Sequence, residues 1–303
     1  MQYRSLSQCG SCRPALERCC VSSGMAQAPS YARLAQLQQD KQSLLCVGLD
    51  LDPARMPEGI SQTQAGLLTF SENIVQATAP HATAWKINVA FLEVLGALGW
   101  KVLEGLVGLI REHSPDALLI ADAKRGDIGI SSQKYAQAFF GSLNVDAITV
   151  APYMGLDSVA PFLEWPDKWT FVLGATSNPG AQDFQFQDTG QEGPLYKRVI
   201  QRFAQHHQEQ KQPGVLGFVA GATRPETLFE IAQLAPGAPL LIPGIGAQGG
   251  DLEATLKAVY QTDTPLFINA TRSVIYASSG SDYAEAAAAE AERLQQSMAS
   301  CFQ

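Results

Sequence analysis

Ala117-Leu-Leu-Ile-Ala-Asp122-Ala-Lys124-Arg-Gly-Asp127-Ile128-Gly-Ile130 is an apolar run that ends in two acids and two bases within six positions. Strands of a parallel sheet are covered by helices on their outer face, so they read as continuous apolar runs. The first half of the stretch predicts such a strand. Asp122 and Lys124 lie two apart and on a strand project from one face. Asp127 follows Gly126, where the strand should break. Charged side chains are rarely buried unpaired. The cluster is therefore either a strand end that surfaces into water or a site that holds a carboxylate and an ammonium against a substrate.

The pattern recurs. From about residue 40, apolar runs at 44–50, 84–91, 117–124, 147–153, 169–177, 214–221, 239–246 and 265–272 alternate with helical stretches. One of these carries Leu103, Leu106, Val107 and Ile110, the i, i+3, i+4, i+7 stripe of an amphipathic helix. Eight βα units without a linker predict an α/β chain folded as a single-domain TIM (β/α)8 barrel over residues 41–303. A doubly wound open sheet is the alternative. Residues 1–40 show neither period and are expected to form a disordered N-terminal tail.

Barrel function collects at the carboxyl ends of the strands. There the sequence places Asp50, Lys86, Asp122, Lys124, Ser177, Asn178, Gln248 and Arg272, with Asp127 just beyond and a helix expected from about Ser131. Lys86 stands inside Ala-Trp-Lys-Ile-Asn-Val-Ala-Phe, otherwise a core strand. A buried lysine without an anion would lose its proton, so it needs a carboxylate, and strand adjacency offers Asp122. Lys86, Asp122, Lys124 and Asp127 then form an alternating charge array.

Pro243-Gly-Ile-Gly-Ala-Gln-Gly-Gly-Asp251 contains Gly-x-Gly-x-x-Gly from Gly244 to Gly249, with Asp263 nineteen residues after Gly244. The pattern suits a dinucleotide, but it follows the seventh strand rather than the first. In barrels the loops after strands 7 and 8 commonly bind a phosphate, and the planar fork of Arg272 suits its oxygens.

Composition narrows the classes. A net charge of −8 and a pI near 5.0 argue against nucleic-acid binding, which rests on clustered Lys and Arg. No apolar run approaches the ~18 residues that span a bilayer. Four of six cysteines, Cys9, Cys12, Cys19 and Cys20, crowd the first twenty residues. Cys9 and Cys12 have the spacing of a zinc or redox pair but lack a second pair or a histidine nearby. Few cysteines remain in the body, as expected of a cytoplasmic protein. Arg4, Arg13 and Arg18 with the single acid Glu17 allow an organelle transit peptide, the lack of a continuous apolar core in the first 25 residues argues against a secretory signal, and Met25 is a second possible start. His81, His113, His206 and His207 fall on helices or near their ends. Asp50 and Asp52 could pair on a divalent cation, but Lys86 and Lys124 compete with one. The site is expected to use no metal and no cofactor.

Asp122-Ala-Lys124-Arg-Gly-Asp127-Ile128 resembles the signature of the orotidine 5′-phosphate decarboxylase family, and the resemblance extends over most of residues 44–276. Gly48-Leu-Asp50, Lys86, Thr176-Ser177-Asn-Pro-Gly, Gln248 and Arg272 match its other motifs. Asn178-Pro-Gly-Ala-Gln-Asp-Phe184 and Gly221-Ala-Thr-Arg-Pro-Glu226 look like its longer-chain bacterial branch. Thr271 departs from the serine or glycine that relatives often carry before the arginine.

The resemblance implies loss of CO₂ from orotidine 5′-phosphate to give UMP. Lys86, Asp122, Lys124 and Asp127 would be the catalytic residues. Asp50, Ile128, Ser131, Ser177, Pro243, Gln248 and Arg272 would bind substrate, with Asp50 on the ribose, Ser177 on the pyrimidine, and Gln248 and Arg272 on the phosphate. It also implies a homodimer in which Asp127 and Ile128 reach the neighbouring site. Alternatives are a Mg²⁺-dependent 3-keto sugar phosphate decarboxylase of the same superfamily, a Schiff-base aldolase, and a non-catalytic sugar-phosphate sensor on the same scaffold.

Overall fold

The computed structural model describes residues 31–190, 193–245, 251–259 and 265–302. Among them, eight parallel strands close into a barrel in sequence order: β1 (Leu45–Leu49), β2 (Ala84–Asn88), β3 (Leu118–Arg125), β4 (Ala147–Val150), β5 (Trp169–Ala175), β6 (Val215–Ala220), β7 (Leu240–Pro243) and β8 (Leu266–Ala270). Seven of the eight predicted runs contain their strand, β3 continues one residue past its run to Arg125, and β8 pairs with β1, which excludes the open sheet.

Helices such as Gln64–Thr78, Ala97–His113 and Leu195–Gln210 pack outside, and Leu103, Leu106, Val107 and Ile110 are all buried as their spacing predicts. The odd and even positions of the strands divide the core in two. One set meets the helices. The other, including Cys46, Ala84, Leu118, Ile120, Ala147, Trp169, Phe171 and Phe267, packs against itself inside the barrel. Phe171 and Phe267 meet edge to face at 5.8 Å between centroids, filling the lower barrel with aromatic volume.

Three further boundaries differ from the sequence reading. The second run stops at Asn88, whose Oδ1 accepts from the Ala90 N–H and turns the chain into the short helix Ala90–Glu93. Residues Tyr31–Lys41, read as tail up to residue 40, form a helix under the amino end of the barrel. Leu34 is buried there, Gln38 Nε2 donates to the Leu266 carbonyl, and Tyr31 stacks on Trp169. The helix after β3 begins at Gly129 rather than near Ser131. The cysteine cluster, Met25, Gln248, Gly246–Gly249 and Asp263 lie outside the described residues.

Candidate active site

The inner face of the barrel changes character from bottom to top. Cys46, Gly48 and Asp50 follow one another up β1; Ala84, Lys86 and Asn88 up β2; Leu118, Ile120 and Asp122 up β3; Ala147 and Thr149 up β4. Lys86 is in register with Gly48 on one side and Ile120 on the other. Asp50 and Asp122 stand two residues further along, so all three share the inner face, the two carboxylates one layer above the lysine.

Lys86 reaches up to both. Its Nζ lies 3.3 Å from Asp50 Oδ1 and 3.2 Å from Asp122 Oδ2. Asp122 Oδ1 accepts from Lys124 Nζ at 2.6 Å and from the Thr149 hydroxyl at 2.9 Å. The Lys86 side chain is only 5% exposed, whereas that of Lys124 is 50% exposed. Burial alone would push the Lys86 ammonium towards losing its proton, but Asp122 and Asp50 outweigh it and hold the pKa above the usual lysine range. Burial likewise opposes ionisation of Asp122; the two ammonium groups prevail and lower it to about 2. Both groups are charged at neutral pH, and a protonated Lys86 is no Schiff-base nucleophile.

Lys124 stands off the ideal strand. Its φ is +46°, a left-handed conformation that a non-glycine residue adopts at a cost of roughly 1–3 kcal/mol. The register with β4 shifts here, and Asp122 through Lys124 face Thr149 alone. The expectation that Asp122 and Lys124 share a strand face meets this irregularity, and the two side chains nevertheless come together.

The array opens into a cleft of about 560 Å³ at the carboxyl end of the strands. Of the residues selected from sequence, Asp50, Lys86, Asp122, Lys124, Ser177, Pro243 and Arg272 line it. Asp127, Ile128 and Ser131 do not. Asp127 Oδ1 instead accepts from the Ile128 N–H, and Ile128 is 55% exposed. The pairing of Lys86 with Asp122 is thus joined by a second carboxylate, Asp50, which the sequence reading places on the ribose rather than in the charge array. A larger hollow of about 1110 Å³ on the outer surface, along Leu195–Gln210, gathers none of these residues.

Local packing fixes the rim. A Cβ on Gly48 would lie 1.9 Å from Thr271 Oγ1, so only glycine lets the end of β8, and with it Arg272, approach β1 this closely. A Cβ on Gly221 would lie 2.8 Å from the Ser177 backbone nitrogen. The Tyr276 hydroxyl accepts from the Asp52 N–H at 2.9 Å and donates to the Asp50 carbonyl at 3.1 Å, and the Arg55 guanidinium covers its ring. Tyr276, Thr149 and Asn269 were missed in the sequence. Inner-face positions could have marked Thr149 and Asn269, whereas Tyr276, which follows the short helix Arg272–Ile275, carried no such mark.

Among the described residues no three of His, Cys, Asp and Glu gather in a way that could hold a metal ion, and no helix is long and apolar enough to cross a membrane.

A family model described as orotidine 5′-phosphate decarboxylase / HUMPS family matches residues 43–289. The chain belongs to this family. An orotidine 5′-phosphate decarboxylase of Christiangramia forsetii is 46% identical over 260 residues, 86% of this chain and 94% of that protein. One from Herpetosiphon aurantiacus is 45% identical over 247 residues, 81% of this chain and 88% of its own. The solved OMP decarboxylase of Leishmania donovani superposes with a TM-score of 0.75 at 33% identity, covering 90% of this chain and 98% of that one. The family resemblance carried by the strand-3 motif is thus established, together with the barrel.

Proposed function

We propose that this chain decarboxylates orotidine 5′-phosphate to UMP in de novo pyrimidine biosynthesis, without metal or cofactor. The observation that carries the proposal is one largely buried carboxylate at the cleft floor, Asp122, held between two ammonium groups, one buried and one facing the cleft. Breaking the C6–carboxylate bond leaves CO₂ and an electron pair in an sp² orbital that cannot delocalise into the ring. Such a reaction needs on the order of 20 kcal/mol off its barrier. A preorganised ammonium at the developing anion is the most direct source. Lys124 stabilises the carbanion, then transfers an Nζ proton to C6, and solvent reprotonates it. Asp122 orients Lys124 and faces the departing carboxylate.

Asp50 takes the ribose hydroxyls, Ser177 and Pro243 the pyrimidine side, and Arg272 with Gln248 the phosphate. This remote grip supplies binding energy that is used in the transition state. One feature speaks against the Mg²⁺-dependent alternative: of the three acids lining the cleft, Asp50 and Asp122 are already engaged by Lys86, and Asp52 Oδ1 accepts from the Ala54 N–H. The deciding assay follows orotidylate absorbance with purified protein in EDTA. Steady loss with formation of UMP is expected, and no loss, or loss only on adding Mg²⁺, would overturn the proposal.

The same proposal includes a homodimer with shared sites. Asp127 and Ile128 lie outside their own cleft, and Ile128, Ile130, Tyr153, Met154 and Phe184 expose apolar surface on the loops and first helical turns after β3, β4 and β5. A two-fold axis across that rim makes the contact reciprocal, each site taking Asp127 and Ile128 from its partner. Lys124→Ala and Asp127→Ala homodimers are each expected to be nearly inactive. Co-refolded in equal amounts with random pairing, they should recover about a quarter of wild-type activity per total site, because a mixed dimer collects both defects in one site. No recovery despite demonstrated subunit exchange would place Asp127 within its own chain's site.

A further inference from the structure

We infer that Thr149 is a positioning residue for the decarboxylation, setting the Asp122–Lys124 pair without touching the substrate. The inference rests on the decarboxylase reading of the same cleft. Thr149 is 1% exposed and does not line the cleft, so its hydroxyl can act only through its neighbours.

Those neighbours fix the direction of both hydrogen bonds. The Lys124 backbone N–H can only donate, and it points at Thr149 Oγ1 at 2.9 Å. Asp122 is ionised and can only accept, so the one hydroxyl proton goes to its Oδ1, at 2.9 Å. A single side chain therefore grips the backbone of the proton donor and the carboxylate that orients its ammonium.

The need for this grip arises in the sheet. The ladder runs from Ala121 against Ile148 to Arg125 against Val150, so three residues of β3 face one of β4. The regular ladder cannot serve the N–H of Lys124 across that mismatch. The left-handed φ of Lys124 sends its backbone out of the strand path, and the Thr149 hydroxyl accepts the displaced N–H. An unpaired N–H there would favour relaxation of Lys124 towards an ordinary strand conformation, which would swing Nζ away from Asp122. A small shift of a reacting group is costly: misplacement by about 1 Å can lower a rate ~100-fold. The bland reading of Thr149 is a β-branched strand filler, for which valine would serve equally well. The two directed bonds are what that reading leaves unexplained.

Thr149→Val keeps the shape and removes the hydroxyl; Thr149→Ser keeps the hydroxyl and removes a methyl. Turnover of orotidine 5′-phosphate, KM, the dissociation constant of UMP and the melting temperature are measured for both against wild type. For Thr149→Val, kcat is expected to fall roughly 10- to 100-fold, as for other groups that orient a reacting residue, with KM and UMP affinity within about threefold. Thr149→Ser is expected to keep kcat within about threefold even if its melting temperature drops. Wild-type kcat in Thr149→Val, or losses in kcat and UMP affinity that match, would overturn the inference. Should Thr149→Val fail to fold, Thr149→Ser decides: a loss of kcat beyond about tenfold would mean that packing, not the hydroxyl, matters. A wild-type enzyme that leaves orotidine 5′-phosphate unchanged would instead remove the functional reading itself.

Discussion

At the amino end of β4, Asp146 accepts two hydrogen bonds from the Arg111 guanidinium, at 2.7 and 2.8 Å, and a third from the Leu119 N–H at 2.8 Å. At the carboxyl end of β3, Asp122 also collects two bonds from cations and a third from a neighbour, the Thr149 hydroxyl. The inventories are alike and the settings differ. Asp146 is fully buried, its guanidinium fork is matched oxygen for oxygen, and Arg111 also closes onto the Asn144 carbonyl. Asp122 is divided between two separate ammonium groups, one of them on a strained backbone and half-exposed to a cleft. A closed ion pair of the first kind holds the fold together. The second leaves a charge free to meet one that arises during reaction.

The sharpest way to break that contrast is to remove Lys124. Its ammonium is assigned to a charge that exists only in the transition state, so Lys124→Ala should lower kcat by roughly 1000-fold or more, while UMP affinity stays within about tenfold. Stopped assays for turnover and calorimetry for UMP provide the two numbers. Equal losses in both would mean that Lys124 only binds, and that the open network is as static as the closed one.

The converse test removes Asp146. Truncating one partner of a buried pair leaves the other charge uncompensated, at a cost of about 3–5 kcal/mol. Asp146→Ala should lose that much stability in denaturant titrations, with kcat per folded protein unchanged. A stable but inactive variant would show that the two ends of the barrel are coupled.

The two networks were unequally legible in the sequence. The upper one showed itself because Lys86, Asp122 and Asp50 interrupt or terminate apolar runs, where a charge has no bland explanation. The parallel barrel was legible for the same reason, since strands covered on both faces leave uninterrupted apolar runs. Thr149 was silent: a threonine in Ala147–Val150 satisfies β propensity, and its two bonds go to residues more than twenty positions earlier. The left-handed φ of Lys124 was silent too, because the mismatch that produces it belongs to β3 and β4 together. The helix Tyr31–Lys41 was read as tail because YARLAQLQQDK is largely polar. Its docking partners, Trp169 and the Leu266 carbonyl, lie far along the chain. Whether Asp127 faces its own site or a neighbour's could not be read from one chain, since a half-buried carboxylate beyond a strand end can extend inwards or outwards.

The smallest expected effect concerns pH, and it sharpens the comparison on the Asp122 side. Burial alone would raise the Asp122 pKa, but Lys86 and Lys124 bring it to about 2, below its ordinary 3.8. A carboxylate whose value is lower in the folded protein stabilises the fold fully above the unfolded value and loses that contribution as pH falls towards the folded one. Asparagine at this position does not titrate. The stability of the wild type relative to Asp122→Asn should therefore decline between pH 5 and pH 3, by on the order of 1 kcal/mol. Urea titrations of both proteins across that range measure the difference, and the titrations of all other groups cancel to first order. A gap that stays constant would mean that Asp122 holds its proton equally well folded and unfolded. The two ammonium groups would then not be gripping it, and the upper network would be a loose surface cluster rather than a preorganised charge.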